Sequence, residues 1–552
     1  MRITNRIMRN NSLYNINQNK ILEDKLSNQM TNQSKITRPS DDPVVAIRAL
    51  RLRTNVTMVS QYYDKNSEDA DSWLSITGDA LNTVGDVLDD LYEQTTTASK
   101  KFLTAADMDI ILTQINALTK EFYASGNVDY AGRYIFSGFR TDTPITFTAE
   151  NIKEFNRDPN NTQSYMIEET LGYKDISSIS YTDWQKEPGV AKDDETQITN
   201  TTLYRFRLSY DQVDEGNDFI EIKTAGGTLP TTPDIYSDPE TAYKAVADGT
   251  SKLAYIPSTG EIVFSEDSYN DPVQVYENMQ VTVKYTKSTW ETGDINPVHY
   301  FHCIATDQQH AKDAMALEQA RKDLEVAQGQ LKVLESDPAS TQAQIDAARQ
   351  DVEDAQLAVD NIMGNVIEYN LDGEDQDIYY AMGFNQDIQV NTQAHEVFTH
   401  DAQRDAEDFK VYLKQLQDVE ASISDIETKM KEHAEDTQEY KDLKLQLDAA
   451  NKAYTYIREN VQKKFENQIT KYQKYIDDTN VAVTDNGTRR SRLELIHNRL
   501  MNQKSTFKDL QSNNEDVDVT EVAVQLKSSE LTYEAALAAT SKIMQTNLMN
   551  YI

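Results

Sequence analysis

Residues Ser34–Thr54 read SKITRPSDDPVVAIRALRLRT. A polar turn runs into two aspartates and a proline, and a strongly helical stretch follows. Asp42 can cap that helix with its carboxylate, and Pro43 suits the first helical position, where no N–H is needed. Asp41 adds negative charge near the positive end of the helix dipole. The stretch therefore predicts a hard helix start, with a different kind of segment on each side of it.

On the N-terminal side, Ile3, Ile7, Tyr14 and Ile21 stand four, seven and seven residues apart among asparagines and glutamines. That is a helical stripe too thin to fold alone, because the amides around it have poor helix propensity. On the C-terminal side, Leu74, Leu81 and Leu88 repeat at seven, interleaved with Thr77, Val84 and Leu91. Met108, Ile111, Ile115, Leu118 and Phe122 continue the alternation of three and four, which predicts bundle helices.

From about Thr141 to Thr306 the pattern changes. LYRFRLSY, DFIEIK, EIVFSE and MQVTVKYTKSTW are rich in β-branched and aromatic residues, and AGG, STGE and ETGD supply turns, so the region predicts a β-rich domain. An acidic helical pair interrupts it. Leu317, Leu324 and Leu331 with Ala320, Ala327 and Leu334 form heptads, and after the turn ESDPAS the series Ile345, Ala348, Val352, Ala355, Val359, Ile362 repeats them. Two arms of similar length predict an antiparallel coiled-coil hairpin roughly 35–40 Å long. Short β-like segments, GNVIEYNL and QDIQVNT, resume afterwards.

The C-terminal third is helical again, with one stripe through Phe409, Leu416 and Ile426, a second through Tyr440, Leu447 and Ile457, and a third through Leu493, Ile496 and Leu500. The last helix carries Leu526, Tyr533, Leu537, Met544 and Leu548. Helices, then strands, then helices, with a seam at each extreme, predict that the chain runs out, builds the β domain and returns beside its start. The expected fold is α+β: an elongated helical bundle or coiled coil formed by both chain ends, with an inserted β-rich outer domain bearing the helical hairpin. The expected division is 1–40 with 515–552 as terminal segments, 41–140 with 396–514 as a helical rod, and 141–395 as the outer domain, with the hairpin at 307–363. Terminal seams without intrachain cover want a partner, either each other or another subunit.

The chain has 552 residues and a formal charge of −37, from 54 Lys and Arg against 91 Asp and Glu. Such a surface repels nucleic acid and anionic membranes. Met1–Asn55 departs from this, with a local balance of +6 that suggests a partner of its own. The single cysteine, Cys303, excludes an intramolecular disulfide framework. No window has the length and apolarity of a membrane-spanning helix, and the basic N-terminus lacks the apolar core of a cleaved secretion signal. The expectation is a chain that stays in the cytoplasm or leaves by a route that removes nothing.

Motifs for chemistry are weak. His395 and His400 in HEVFTH are one residue too far apart to share a helix face as zinc ligands. In VHYFHC, an extended strand would point His299 and His302 to opposite faces, and no second ligand pair completes a site with Cys303. DGEDQD (372–377) lacks the spacing of a calcium loop, and Gly226–Gly227 sit in a hairpin context rather than a phosphate loop. No metal, cofactor or nucleophile–base constellation is expected. The sequence argues against an enzyme.

MRITNRIMRNNSLYNINQNKILEDKL followed by KITRPSDDPVVAIRALRLRT resembles the N-terminus of bacterial flagellin-like axial proteins, in particular the hook-associated protein 3 family of the hook–filament junction. GRYIFSGFRTDTPITF (132–147) is similar to the segment where that family leaves its helical domain. GTRRSRLELIHNRL (487–500) and the last 34 residues, VTEVAVQLKSSELTYEAALAATSKIMQTNLMNYI (519–552), are similar to its returning helices. The resemblance implies uncleaved export through the flagellar type III apparatus with an export chaperone, and assembly as a ring contacting flagellin and the hook-side hook-associated protein 1. It implies neither nucleic-acid binding nor membrane insertion. Mapped onto this chain, Ile3, Ile7, Tyr14 and Ile21 would pack against Leu526, Tyr533, Leu537, Met544 and Leu548 as the axial interface. Asp42 and Pro43 would mark where the inner segment stops, and Arg38, Arg48, Arg51 and Arg53 would meet acidic neighbours. Flagellin, the filament subunit, shares this design. An adhesive module built on the outer domain and hairpin is a different class of reading.

Overall fold

The computed structural model describes residues 5–100, 103–157, 162–187, 190–214, 219–223, 232–270, 280–307, 310–337, 340–369 and 376–545. Its long helices, in chain order, are α1 (Asn5–Asn32), α2 (Pro43–Gln61), α3 (Ser67–Ala98), α4 (Ala105–Ala124), α5 (Asp313–Ser336), α6 (Gln342–Met363), α7 (Asp401–Met430), α8 (Gln438–Glu515) and α9 (Val519–Gln545). With the strands of the middle region they make an α+β fold. The chain divides into two compact units: Met1–Ser72, Tyr379–Val390 and Thr488–Ile552 form one, and Trp73–Ile378 with Asn391–Gly487 form the other.

In the larger unit, two five-stranded sheets lie over a shared core. One has the order Ile176–Asp183, Thr199–Arg207, Glu261–Ser265, Leu253–Ile256, Asp234–Ile235, antiparallel except for the last pair. The other runs Val366–Tyr369, His302–Asp307, Thr162–Gly172, Gln280–Lys287, Phe219–Lys223, antiparallel throughout. Phe206, Tyr255, Ile262 and Phe264 of the first meet Ile167, Val281, Val283, Tyr285 and Cys303 of the second. Each sheet is also covered on its far side. The short helix Pro239–Ala247 packs on Leu203, Ala254, Ile256 and Val263, while α5 and α6 bring Ala314, Leu317, Ala320 and Val359 onto Met166 and Ile304. Cover on both faces explains why Leu253–Ile256 is buried at every position and reads as an apolar run rather than an alternation.

The helical hairpin is the connection between two neighbouring strands, with Thr306 opposite Val366 at its base. All of the expected seam is buried or half-buried, from Leu317 to Leu334 on one arm and from Ile345 to Ile362 on the other. Arg321 of α5 grips Glu368 with two hydrogen bonds, at 2.9 and 2.7 Å, and His302 adds a third contact at 3.0 Å. The Arg321 guanidinium, with burial opposing, holds the Glu368 carboxyl down at about 2. On α3, Leu74, Thr77, Leu81, Val84, Leu88 and Leu91 are fully buried, so the heptad line is the core line. Each such leucine contributes about 1.5–3 kcal/mol.

Gly260 closes the turn between two strands at φ +60°, and its carbonyl accepts from Leu208 N–H at 2.8 Å. A Cβ there would stand 2.1 Å from the Tyr210 carbonyl oxygen. Gly260→Ala is expected to cost at least about 2 kcal/mol, from the left-handed conformation plus the backbone clash. Urea unfolding followed by tryptophan fluorescence reads this unit, because Trp73, Trp184 and Trp290 all lie in it.

Candidate assembly surfaces

The smaller unit is built around the hard helix start. Asp42 Oδ1 accepts from the N–H groups of Val44 and Val45 at 3.0 and 3.1 Å, and Pro43 opens α2. A cap of this kind contributes about 1 kcal/mol. Asp41 does a different job from the dipole role expected of it: its carboxylate accepts from the N–H of Arg38 at 2.9 Å and of Thr37 at 3.1 Å, which closes the preceding turn and pulls its pKa down. The corner between α1 and α2 is latched to the junction of α8 and α9. Lys35 N–H donates to the Glu515 carbonyl at 2.7 Å, Val517 N–H donates to the Gln33 carbonyl at 3.2 Å, and Asn514 reaches the Val45 carbonyl at 3.2 Å. Arg53 donates to both carboxylate oxygens of the buried Glu515.

This latch sets the rotation of α1 as it enters the pair with α9, and the two helices pack antiparallel. On α9 the buried and half-buried line is Val522, Leu526, Ser529, Tyr533, Ala536, Thr540, a strict alternation of four and three. On α1 it is Ser12, Ile16, Asn19, Glu23, Leu26. The face of α1 turned toward α9 is thus not the expected one. Ile7, Tyr14 and Ile21 are 49, 64 and 63% exposed, and Leu537 of α9 is 44% exposed. Leu526 and Tyr533 are half-buried on the α9 line. Ile3, Leu548 and the side chain of Met544 lie outside the described residues. The reason for the difference is that apolar spacing identifies a stripe but not its partner. Here the seam face of α1 mixes Ile16 and Leu26 with Ser12, Asn19 and Glu23, while the line through Ile7, Tyr14 and Ile21 faces water.

Further apolar side chains follow the same rule. Val524 and Leu531, seven apart on α9, are 66 and 59% exposed, and Val44, Ile47 and Leu50 on α2 are 54–62% exposed. Arg38, Arg48 and Arg51 are exposed, and among the described residues Arg48 and Arg51 have no ion-pair partner. The segment thus combines exposed basic side chains with water-facing apolar positions.

In the larger unit, sequence reading missed a buried ionic cluster. Arg205 sits between Glu261 at 2.6 Å and Asp408 at 2.5 Å, and Arg207 between Asp405 at 2.8 Å and Asp408 at 3.0 Å. Lys464 and Lys471 of α8 close on the same two aspartates of α7. The signals were present: Arg205 and Arg207 share a strand face, Asp401, Asp405 and Asp408 share a helix face, and Lys464 and Lys471 are two turns apart. A cleft of about 570 Å³ borders the cluster, but Arg205, Arg207, Lys464 and Lys471 in its wall are already paired with carboxylates.

The histidine motifs resolve into packing. His299 is not in a strand: Asn296 and Pro297 start a single helical turn, and buried His299 lies 3.2 Å from the Pro144 carbonyl, with burial pulling its pKa to about 4. Cys303 is buried in the sheet core, and burial pushes its thiol up to about 12. His395 is exposed, while His400 meets the Tyr210 hydroxyl at 3.1 Å and is drawn by burial to about 3. Among the described residues there is no group of three or more potential metal ligands. Gly226, Gly227 and 372–375 lie outside the described residues. Among the described residues no helix is long and apolar enough to cross a membrane.

Residues 3–141 match the family model of the bacterial flagellin N-terminal helical region. Part of the chain is also similar to flagellar hook-associated protein 3. It is 28% identical over 144 residues to that protein of Escherichia coli (strain K12), and 27% identical over 143 residues to that of Salmonella typhimurium. Each match covers 26% of this chain and 45% of the relative, so the chain spans less than half the length of these relatives. Among solved structures, hook-associated protein 3 of Legionella pneumophila covers 84% of this chain and 98% of its own at 9% identity, with a TM-score of 0.26. FlgL of Xanthomonas campestris covers 56% of this chain and 88% of its own at 11% identity, with a TM-score of 0.18.

Proposed function

We propose that this chain is a structural, non-catalytic subunit of the bacterial flagellum, located at the hook–filament junction, where it joins hook-side proteins to the filament and templates filament assembly. One observation carries the reading: within the segment that matches the flagellin N-terminal region, α1 keeps a heptad line, Ile7, Tyr14 and Ile21, turned to water. A paired helix that keeps a second apolar heptad line exposed is suited to neighbours of the same kind. In this reading 1–40 and 515–552 form the axial coiled coil, 41–140 with 396–514 the rod, and 141–395 the outer domain with the hairpin at 307–363. Arg53 is engaged within the chain, so Arg38, Arg48 and Arg51 are left to meet acidic neighbours. Hook-associated protein 1, flagellin and an export chaperone are the partners, the subunits associate as a ring, and export leaves the chain uncleaved.

Antibody–gold labelling of intact flagella tests the location. A narrow band between hook and filament is expected. Label along the whole filament would assign the chain as a flagellin, and absence of flagellar label would overturn the axial reading.

A further inference from the structure

The hairpin Tyr379–Gln389 of the smaller unit turns at Phe384 and Asn385, the latter at φ +54°. Met382, Ile388 and Val390 are buried, while Phe384 at the tip is 89% exposed. The hairpin is held from both strands: Asn66 donates to the Ala381 carbonyl at 2.6 Å, Arg492 to the Asp387 carbonyl at 3.5 Å, and Arg499 to the side chain of Gln386. Asn66 is presented by the π-helical turn Tyr62–Asn66, a wide turn of the kind that recurs at functional sites. The aromatic tip is therefore rigidly mounted. Arg492 and Arg499 rest on neutral oxygens, and among the described residues no carboxylate lies within ion-pair distance of either. Leu495, 73% exposed, lies one turn from each on the same side of α8. The result is a basic face with an apolar centre on a chain whose net charge is −37.

The complementary face is on α3. Between Lys65 and Lys100 the sequence contains no Lys or Arg. Asp79, Asp86, Asp90 and Glu93 recur at seven, four and three, which aligns them on one face; all four are exposed, and none has an ion-pair partner among the described residues. Each face carries the charge that the other lacks.

We propose that the Phe384–Leu495–Arg492–Arg499 face docks on the acidic stripe of α3 in a second copy of this chain. Two different surfaces of one molecule meet, so the contact is heterologous and can repeat from copy to copy, as an axial assembly requires. Phe384 and Leu495 supply the apolar centre, the arginines the charged rim, an arrangement typical of specific interfaces. The cellular use of the contact rests on the structural reading above; the contact itself does not.

The test uses purified full-length chains, one Leu495→Cys and the other Asn82→Cys, mixed and oxidised; the native Cys303 is buried and does not interfere. A disulfide-linked heterodimer is expected, exceeding either homodimer by roughly tenfold and falling as salt is raised. Adding Arg492→Glu and Arg499→Glu should abolish it, and adding Asp86→Arg and Asp90→Arg to the other chain should restore it. Absence of the heterodimer at low salt, dominance of the Leu495→Cys homodimer, or a yield indifferent to salt and to charge reversal would each overturn the proposal. Circular dichroism of the exposed-site variants separates lost contact from lost fold. Gold labelling decides the flagellar reading independently.

Discussion

Asp408→Ala is expected to destabilise the larger unit by about 3–5 kcal/mol, the cost of leaving buried cations without their counter-charge. Arg205 is 4% exposed and shares its charge between Asp408 and Glu261; Arg207 is 8% exposed and uses both Asp405 and Asp408. Removing Asp408 leaves Arg205, Arg207 and Lys464 short of counter-charge between the sheet and α7–α8, with only Glu261 and Asp405 against them. Tryptophan fluorescence in urea measures the loss, since every tryptophan reports on this unit. A change under about 1 kcal/mol would mean that water reaches the cluster and that it is not a buried network.

The cluster also sets an acid limit. Burial opposes ionisation of Asp405 and Asp408, yet Arg207, Arg205, Lys464 and Lys471 surround them and hold both well below the usual carboxylate range. Burial pulls the Lys464 ammonium down in turn, but the carboxylates' direction is the one that stands, because each faces at least two cations. Folded pKa values below the unfolded value of about 3.9 mean that this stability is fully present above that value. It is lost as pH falls through it toward the folded ones. Asp408→Asn should therefore lower stability at neutral pH and flatten the decline between about pH 5 and pH 2.

The second large effect is on assembly rather than folding. Replacing Ile7, Tyr14 and Ile21 together by serine is expected to leave the unfolding of the chain within about 0.5 kcal/mol of the parent, because these side chains already face water. Incorporation into flagella, measured by immunoblot of purified filaments with attached hooks, should be lost. Ile16→Ala with Leu26→Ala is the contrasting pair: those side chains are 8 and 4% exposed, and their truncation should loosen α1 from α9 in the isolated chain. Normal incorporation of the triple serine variant would show that the water-facing heptad is not the interface.

Much of this molecule was legible along the chain because the chemistry involved is local. The Asp42 cap depends on two residues following it, the α3 core line on a repeat of seven, and the hairpin of α5 and α6 on two arms joined by a short turn. Each is decided by neighbours within a few residues, so pattern and propensity suffice. The strands likewise announced themselves by composition, and the acidic charge and the basic first segment could be counted.

Only the tertiary structure decided what lay between distant segments. The order of strands in the two sheets, the meeting of Arg205 with Asp408 some two hundred residues away, and the face that α1 turns to α9 all depend on how elements dock. Nothing in a heptad says which neighbour it serves. For α1 the answer came from a corner of backbone hydrogen bonds between Gln33–Lys35 and Glu515–Val517, which sets the rotation of the helix and leaves the line through Ile7, Tyr14 and Ile21 in water.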